Sequence, residues 1–185
     1  MNNLHKKLAI SCAKLMKKLL RLLGKNRGFT LPGLLARLID PNILTDLAAN
    51  IHSKIIVVMG TNGKTTVNHL LNHLLTNQGK KVVANLSGSN MINGIITALL
   101  LATDNNGCLD ADFVCMEVDE LAASYILPQL QPTCVLLLNL SRDQLDRYGE
   151  IDILCDKIQK ALLATPQTTL ILNCDDVFLS SLSEG

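Results

Sequence analysis

Residues 55–66 read Ile-Ile-Val-Val-Met-Gly-Thr-Asn-Gly-Lys-Thr-Thr, and this dozen constrains the fold more than any other stretch. A β-branched run suits a buried strand. It stops at a glycine-rich turn, which opens on a lysine, two threonines and a helical pattern. Strand, glycine loop and helix in that order form the layout of a phosphate-binding loop. Gly60 and Gly63 allow the sharp turn that brings successive N–H groups to a phosphate at a helix N-terminus. The candidate phosphate-binding residues are therefore Gly60, Thr61, Asn62, Gly63, Lys64, Thr65 and Thr66. Lys64 offers a point charge to the β- and γ-phosphate oxygens, and the Thr65 hydroxyl is placed to ligate Mg²⁺. The usual pattern has a glycine five residues before the Gly-Lys pair. Here that position is Val58, so the loop is a shortened variant.

From this point the pattern alternates. Apolar runs at 54–59, 82–86, 112–117, 133–138 and 169–173 read as strands, and stretches at 64–77, 91–103, 120–127, 152–164 and 175–183 read as helices. Such alternation implies right-handed crossovers and an α/β fold, a parallel sheet with helices on both faces. The composition agrees, being 48% hydrophobic but only 3% aromatic, as suits aliphatic strands buried on both sides. Ligands of such sheets sit beyond the carboxyl ends of the strands. Six dispersed cysteines without a Cys-x-x-Cys pair suggest neither a zinc site nor a disulfide framework, and fit a reducing cytosol. The uncharged stretches 82–103 and 121–141 are interrupted by Asn, Ser, Gly, Gln or Pro, so no transmembrane segment is expected.

The net charge of +1 conceals an asymmetry: residues 1–39 carry nine Lys/Arg and no acid, while 40–185 carry eight basic and sixteen acidic groups. On a helical wheel Leu4, Leu8, Cys12, Leu15, Met16, Leu19, Leu20, Leu22 and Leu23 share one side. Lys6, Lys7, Lys14, Lys17, Lys18 and Arg21 share the other, with Ile10 the apolar exception. The preferred reading is a basic amphipathic helix packed on the domain with its charged face outward. The alternative is peripheral contact with an anionic membrane surface, although few aromatics are present to anchor it. No aromatic–basic interleaving points to nucleic acid. Gly24, Gly28, Pro32-Gly33 and Pro41 read as punctuation before the core. The expected division is an N-terminal helical segment at 1–50 and an ATP-binding domain at 51–185.

Two further segments carry chemistry. The third strand ends in Glu117-Val118-Asp119-Glu120. A carboxylate at a strand's end, across from a phosphate loop, suits a second protein ligand for nucleotide-bound Mg²⁺, and Glu117 is the first acid to leave the strand. Asp119 and Glu120 fit equally as acids that stabilise a helix N-terminus, the reading preferred for Glu120. The fourth strand runs into Asn139-Leu-Ser-Arg-Asp-Gln-Leu-Asp-Arg-Tyr-Gly-Glu150, a polar cluster of the kind more often found at sites than in plain loops. Asn173-Cys-Asp-Asp176 after the fifth strand is either another ligand edge or an Asp-capped helix start.

Gly60-Thr-Asn-Gly-Lys-Thr-Thr66 resembles the ATP loop of the Mur ligase superfamily, the ATP-dependent carboxylate–amine ligases of peptidoglycan and folate metabolism. Glu117 matches that superfamily's Mg²⁺-binding glutamate. Residues 139–146 resemble its Asn-x-x-x-Asp-His-Leu-Asp segment, with Gln144 in place of the histidine that ligates a second metal; an amide is a weaker ligand. Gln144, Leu31-Pro-Gly33, Asp40-Pro41 and the 87–94 loop resemble the amidating, MurT-type branch. Lys157 does not have the spacing of the carbamylated lysine found in many members.

The resemblance implies an enzyme, a peptidoglycan-synthesis ligase using ATP and Mg²⁺. It would phosphorylate the α-carboxylate of D-glutamate in lipid II and form D-isoglutamine with ammonia from a glutaminase (GatD-like) partner. It also implies a cytoplasmic location, and a rest of the central domain, a zinc-binding insertion and a C-terminal domain beyond Gly185. This chain alone is then expected to bind nucleotide without ligating. The alternatives are a folylpolyglutamate- or cyanophycin-synthetase-like ligase, or a non-catalytic nucleotide-binding piece.

Overall fold

The computed structural model describes residues 3–24, 30–141, 151–180 and 182. Its strands are β1 (Lys54–Met59), β2 (Val82–Ala84), β3 (Phe113–Glu117), β4 (Cys134–Leu137) and β5 (Thr169–Leu172). All pair in parallel, in the order β2-β3-β1-β4-β5. The helices are α1 (Asn3–Leu22), α2 (Leu31–Ile39), α3 (Ile43–Ala48), α4 (Lys64–Asn77), α5 (Ile92–Ala102), α6 (Glu120–Leu130), α7 (Ile151–Leu163) and α8 (Val177–Ser180). The expected parallel α/β fold is the one observed.

The strand order dictates the layers. From β1 the chain moves outward through α4 to β2, then steps back to β3, and crosses β1 to reach β4. Right-handed crossovers therefore put α4 on one face and α5, α6 and α7 on the other. Side-chain alternation agrees: Ile55, Val57 and Met59, Val114 and Met116, Val135 and Leu137 all join one apolar core with Ile95, Leu99, Ile126 and Leu127. Their neighbours Val58 and Cys115 point to the α4 side and are buried as well. Burial there pushes the Cys115 thiol up to about 11.

Local chemistry sets the ends of these elements. Asp119 caps α6 by accepting from Leu121 N (3.1 Å). The apolar pattern predicts that α6 ends before Pro128, yet it runs to Leu130 and stops at Gln131, whose φ is +48° and whose N–H reaches Leu127 O. A proline in the last turn removes only one intrahelical bond and leaves the following carbonyls free to be capped. Strand β2 is two residues shorter than expected because the Asn85 side chain takes over its pairing. Its Oδ1 accepts from Glu117 N, and its Nδ2 donates to Glu117 O, both at 2.8 Å.

The N-terminal region departs from two expectations. Pro32-Gly33 is no break: it lies inside α2, with the proline in the first turn, where its missing N–H removes no helical bond. The larger departure concerns α1. The residues buried against the domain are Ala9, Ile10 and Ala13, whereas the leucine side faces solvent. Two alanines let the helix approach closely, and Ile10 fills the contact. The Lys6 and Lys14 ammoniums reach back to Asp46 O (3.2 Å) and Thr103 O (2.6 Å). Long lysine stems lie on apolar surface while their charged ends find carbonyls, so a basic flank became the packed edge.

Candidate functional site

Strand β1 is central, and its carboxyl end is where the chain's path reverses: β3 and β4, reached by different crossovers, flank it. A crevice at such a switch point is the usual ligand position in open α/β sheets. Val58 pairs with Glu117 and Met59 with Leu137, so the loop after β1 lies level with the ends of both neighbours. With Val58 still in the strand, the turn starts at Gly60.

Two glycines make this turn possible. Gly60 has φ +139°, and a Cβ there would meet Asn139 N and Leu138 Cβ at 3.0 Å. Gly63 has φ +85° and caps α4. These are conformations that side-chain-bearing residues rarely adopt. The first i→i−4 bond of α4 is Val67 N to Gly63 O (2.9 Å). The amides of Lys64, Thr65 and Thr66 therefore begin the helix without intrahelical acceptors, a fixed set of donors for an anion.

Asn139, just past β4, pins the turn from the other side. Its Oδ1 accepts from Asn62 N (2.9 Å), its Nδ2 donates to Asn62 O (3.0 Å), and its carbonyl accepts from Thr61 N (2.9 Å). Thr61 Oγ1 accepts from Ser141 N at 3.0 Å. Across the crevice, Thr65 Oγ1 donates to Glu117 Oε2 at 2.8 Å, and Asn90 Nδ2 donates to Glu117 Oε1 at 3.1 Å. One carboxylate beside one hydroxyl at a helix start matches what Mg²⁺ takes from a protein when phosphates and waters supply its other oxygens. The donor set therefore fits a metal-bound polyphosphate. Residues 58–184 match the model of the Mur ligase middle domain.

The chain belongs to the Mur ligase family.

Among curated relatives, it is 37% identical over 174 residues to the lipid II isoglutaminyl synthase (glutamine-hydrolyzing) subunit MurT of Staphylococcus aureus (strain COL), covering 94% of itself and 38% of that protein. It is 40% identical over 149 residues to the MurT subunit of Streptococcus pneumoniae, covering 80% of itself and 32% of that protein. The chain thus spans roughly a third of these relatives' length. The MurF ligase of Thermotoga maritima in complex with ADP superposes with TM-score 0.62 at 18% identity, over 75% of this chain and 32% of that one. At that identity the likeness shows the fold.

Within this Mur ligase middle domain, the structure brings Gly60 through Thr66 and Glu117 together as one site. Residues 142–150, including Gln144 and Asp146, lie outside the described residues. Asp176 proves to be a cap: its Oδ1 accepts from Phe178 N (2.9 Å) and Leu179 N (3.1 Å), and its Oδ2 accepts from Leu140 N (2.9 Å). Sequence reasoning missed three contacts, those of Asn85 and Asn90 with Glu117 and that of Glu120 with Lys64. Asn90 lay in a loop already singled out; nothing local marked Asn85.

Glu120 does more than start a helix. Its side chain is only 3% exposed, and Oε1 lies 3.2 Å from Lys64 Nζ. Lys64 also donates to Gly60 O at 2.5 Å and Thr61 O at 3.3 Å. In this state the lysine is folded onto its own loop and a buried acid. Burial holds the Glu120 carboxyl above its ordinary value of 4.5, against the pull of its own backbone N–H and of Lys64; Asp119 adds to the rise. Desolvation wins over the ion pair. An acid whose folded value exceeds its unfolded value keeps its proton longer in the folded state. Its contribution therefore favours folding at low pH and is lost as pH rises from the unfolded value through the raised one. Glu120→Gln should remove that downward slope, so the variant gains on the parent as pH rises through this window. Denaturant midpoints measured across pH check this; a variant-to-parent difference that stays flat would refute the assignment.

Proposed function

We propose that the chain is the nucleotide-binding front of an ATP-dependent ligase that amidates the α-carboxylate of D-glutamate in lipid II to D-isoglutamine. The observation that carries this reading is the Gly60–Thr66 turn facing the Thr65–Glu117 pair, in a chain similar to MurT subunits over most of its length. Lys64 and the first amides of α4 would bind the triphosphate and offset the charge that builds on the transferring group. Thr65 and Glu117 would hold Mg²⁺, which when bound screens the phosphate oxygens. Asn139 keeps the loop amides in place, and Asn90 keeps Glu117 turned toward Thr65. In the ligation, a carboxylate oxygen of the acceptor attacks the γ-phosphorus and ADP leaves. Ammonia from a glutaminase partner then attacks the acyl phosphate carbon and displaces phosphate.

The test uses the full-length ligase containing these residues, with a glutaminase subunit, glutamine, ATP and lipid II. Formation of amidated lipid II with one ADP per amide is the expected result. ATP binding without any amidation of lipid II would assign the site to another acceptor.

A further inference from the structure

The leucine side of α1 is left over by everything described so far. Leu4, Leu8, Leu15, Leu19 and Leu22 are 50–75% exposed, while Ala9, Ile10 and Ala13 on the opposite side are fully buried. The leucines therefore point directly away from the domain along a helix of 20 residues, about 30 Å long. Leu31 and Leu38 of α2, which packs against α1, are exposed too. Removing exposed leucine side chains from water is favourable, so a stripe of five is a strong driving force for association. Apolar patches of this extent mark interaction surfaces.

Charge decides what covers it. Residues 1–39 carry nine basic groups and no acid. Two of them, Lys6 and Lys14, are held by carbonyls of the domain and fasten the helix to it. Lys7, Lys18 and Arg21 are exposed, and at 100° per residue Lys7 and Lys18 follow one border of the leucine stripe. A second copy of this chain docked leucine to leucine would bring these like charges together. An anionic lipid surface satisfies both features, with leucines below the headgroups and ammonium and guanidinium groups at the phosphates. Among the described residues, no helix is long and apolar enough to cross a membrane, so the fitting orientation is in the plane.

We propose that α1 lies in the surface of an anionic bilayer through Leu4, Leu8, Leu15, Leu19 and Leu22, with the α/β domain resting on its other side. The inference rests on the helix alone and is independent of the ligase reading. If both hold, the helix carries the domain at the surface where a lipid-linked acceptor resides.

The test is co-sedimentation of the 185-residue chain with vesicles of phosphatidylglycerol and phosphatidylcholine in about equal parts. Binding to these vesicles, far weaker binding to phosphatidylcholine alone, and weakening with salt are expected. Leu8→Glu combined with Leu15→Glu should lower the partition coefficient at least about tenfold, and Lys7→Glu with Lys18→Glu by a similar factor. Neither pair touches the core, so circular dichroism and nucleotide affinity should stay as in the parent. Absence of binding to the anionic vesicles, equal binding to neutral ones, or leucine variants that bind like the parent would each overturn the proposal. Self-association that needs Leu8 and Leu15, without vesicle binding, would give the face to a second copy instead.

Discussion

Lys64→Ala is expected to weaken MgATP binding by about a hundredfold, because a charged hydrogen bond of roughly 2–3 kcal/mol is lost and each 1.4 kcal/mol is a factor of ten. The rest of the loop should survive the change. Lys64→Ala removes the lysine's own bonds to Gly60 O and Thr61 O, but the bonds of Asn139 with Thr61 and Asn62 and of Ser141 N with Thr61 Oγ1 remain to hold the turn. Loss of affinity should therefore come without loss of fold near the carboxylate titration range. At higher pH the variant carries a second effect. Glu120 is buried and loses the cation that opposes its desolvation, so its carboxyl moves further up and the variant loses stability as pH rises. Isothermal titration with ATP and Mg²⁺ reads the first effect, and thermal midpoints at mildly acidic and alkaline pH read the second. Unchanged affinity would mean that the turn is not the nucleotide loop.

Gly33→Ala should be the most damaging small substitution in the N-terminal region. Helix propensity alone favours alanine by about 1 kcal/mol. Against this, a Cβ at Gly33 would sit 2.0 Å from Asn93 O and 2.8 Å from Thr97 Oγ1. The first atom is backbone in α5 and cannot rotate away. Gly33 N also donates to Thr97 Oγ1 at 2.8 Å within the buried α2–α5 contact, and Thr97 Oγ1 donates in turn to Asn93 O at 2.8 Å. Moving α2 outward breaks that relay and opens the core around Ala36. Overpacking of this kind costs about 1–3 kcal/mol and the stretched buried hydrogen bond about another 1 kcal/mol. The clash outweighs the propensity gain. A net loss near 2 kcal/mol corresponds to a thermal midpoint about 4–8 °C lower for a domain of this size. A midpoint equal to or above the parent's would show that the helix pair is looser than its geometry indicates.

The phosphate turn and the α2–α5 contact at Gly33 differ in how far the sequence reveals them. The phosphate turn is complete within a dozen residues, so its signals are neighbours: a β-branched run, two glycines, then Lys64 and two threonines opening a helix. The same holds for the alternation of apolar runs and helical stretches, which located the five strands among the described residues. Gly33 carried no such local mark. Beside Pro32 it resembled a linker, and only the approach of α5, some sixty residues away, explains why that position has no side chain.

The sequence by itself determined the element sequence, the parallel α/β class, the turn at Gly60–Thr66 and the carboxylate at the end of β3, because each depends on periodicity or on residues adjacent in the chain. Tertiary structure alone decided the order β2-β3-β1-β4-β5, the pairing of Lys64 with Glu120, the clasp of Asn139 on the loop and of Asn85 and Asn90 on Glu117, and which side of α1 is buried. A helical wheel shows that two faces differ, but burial depends on the surface the helix meets. Here that surface takes the alanines and leaves the leucines outside.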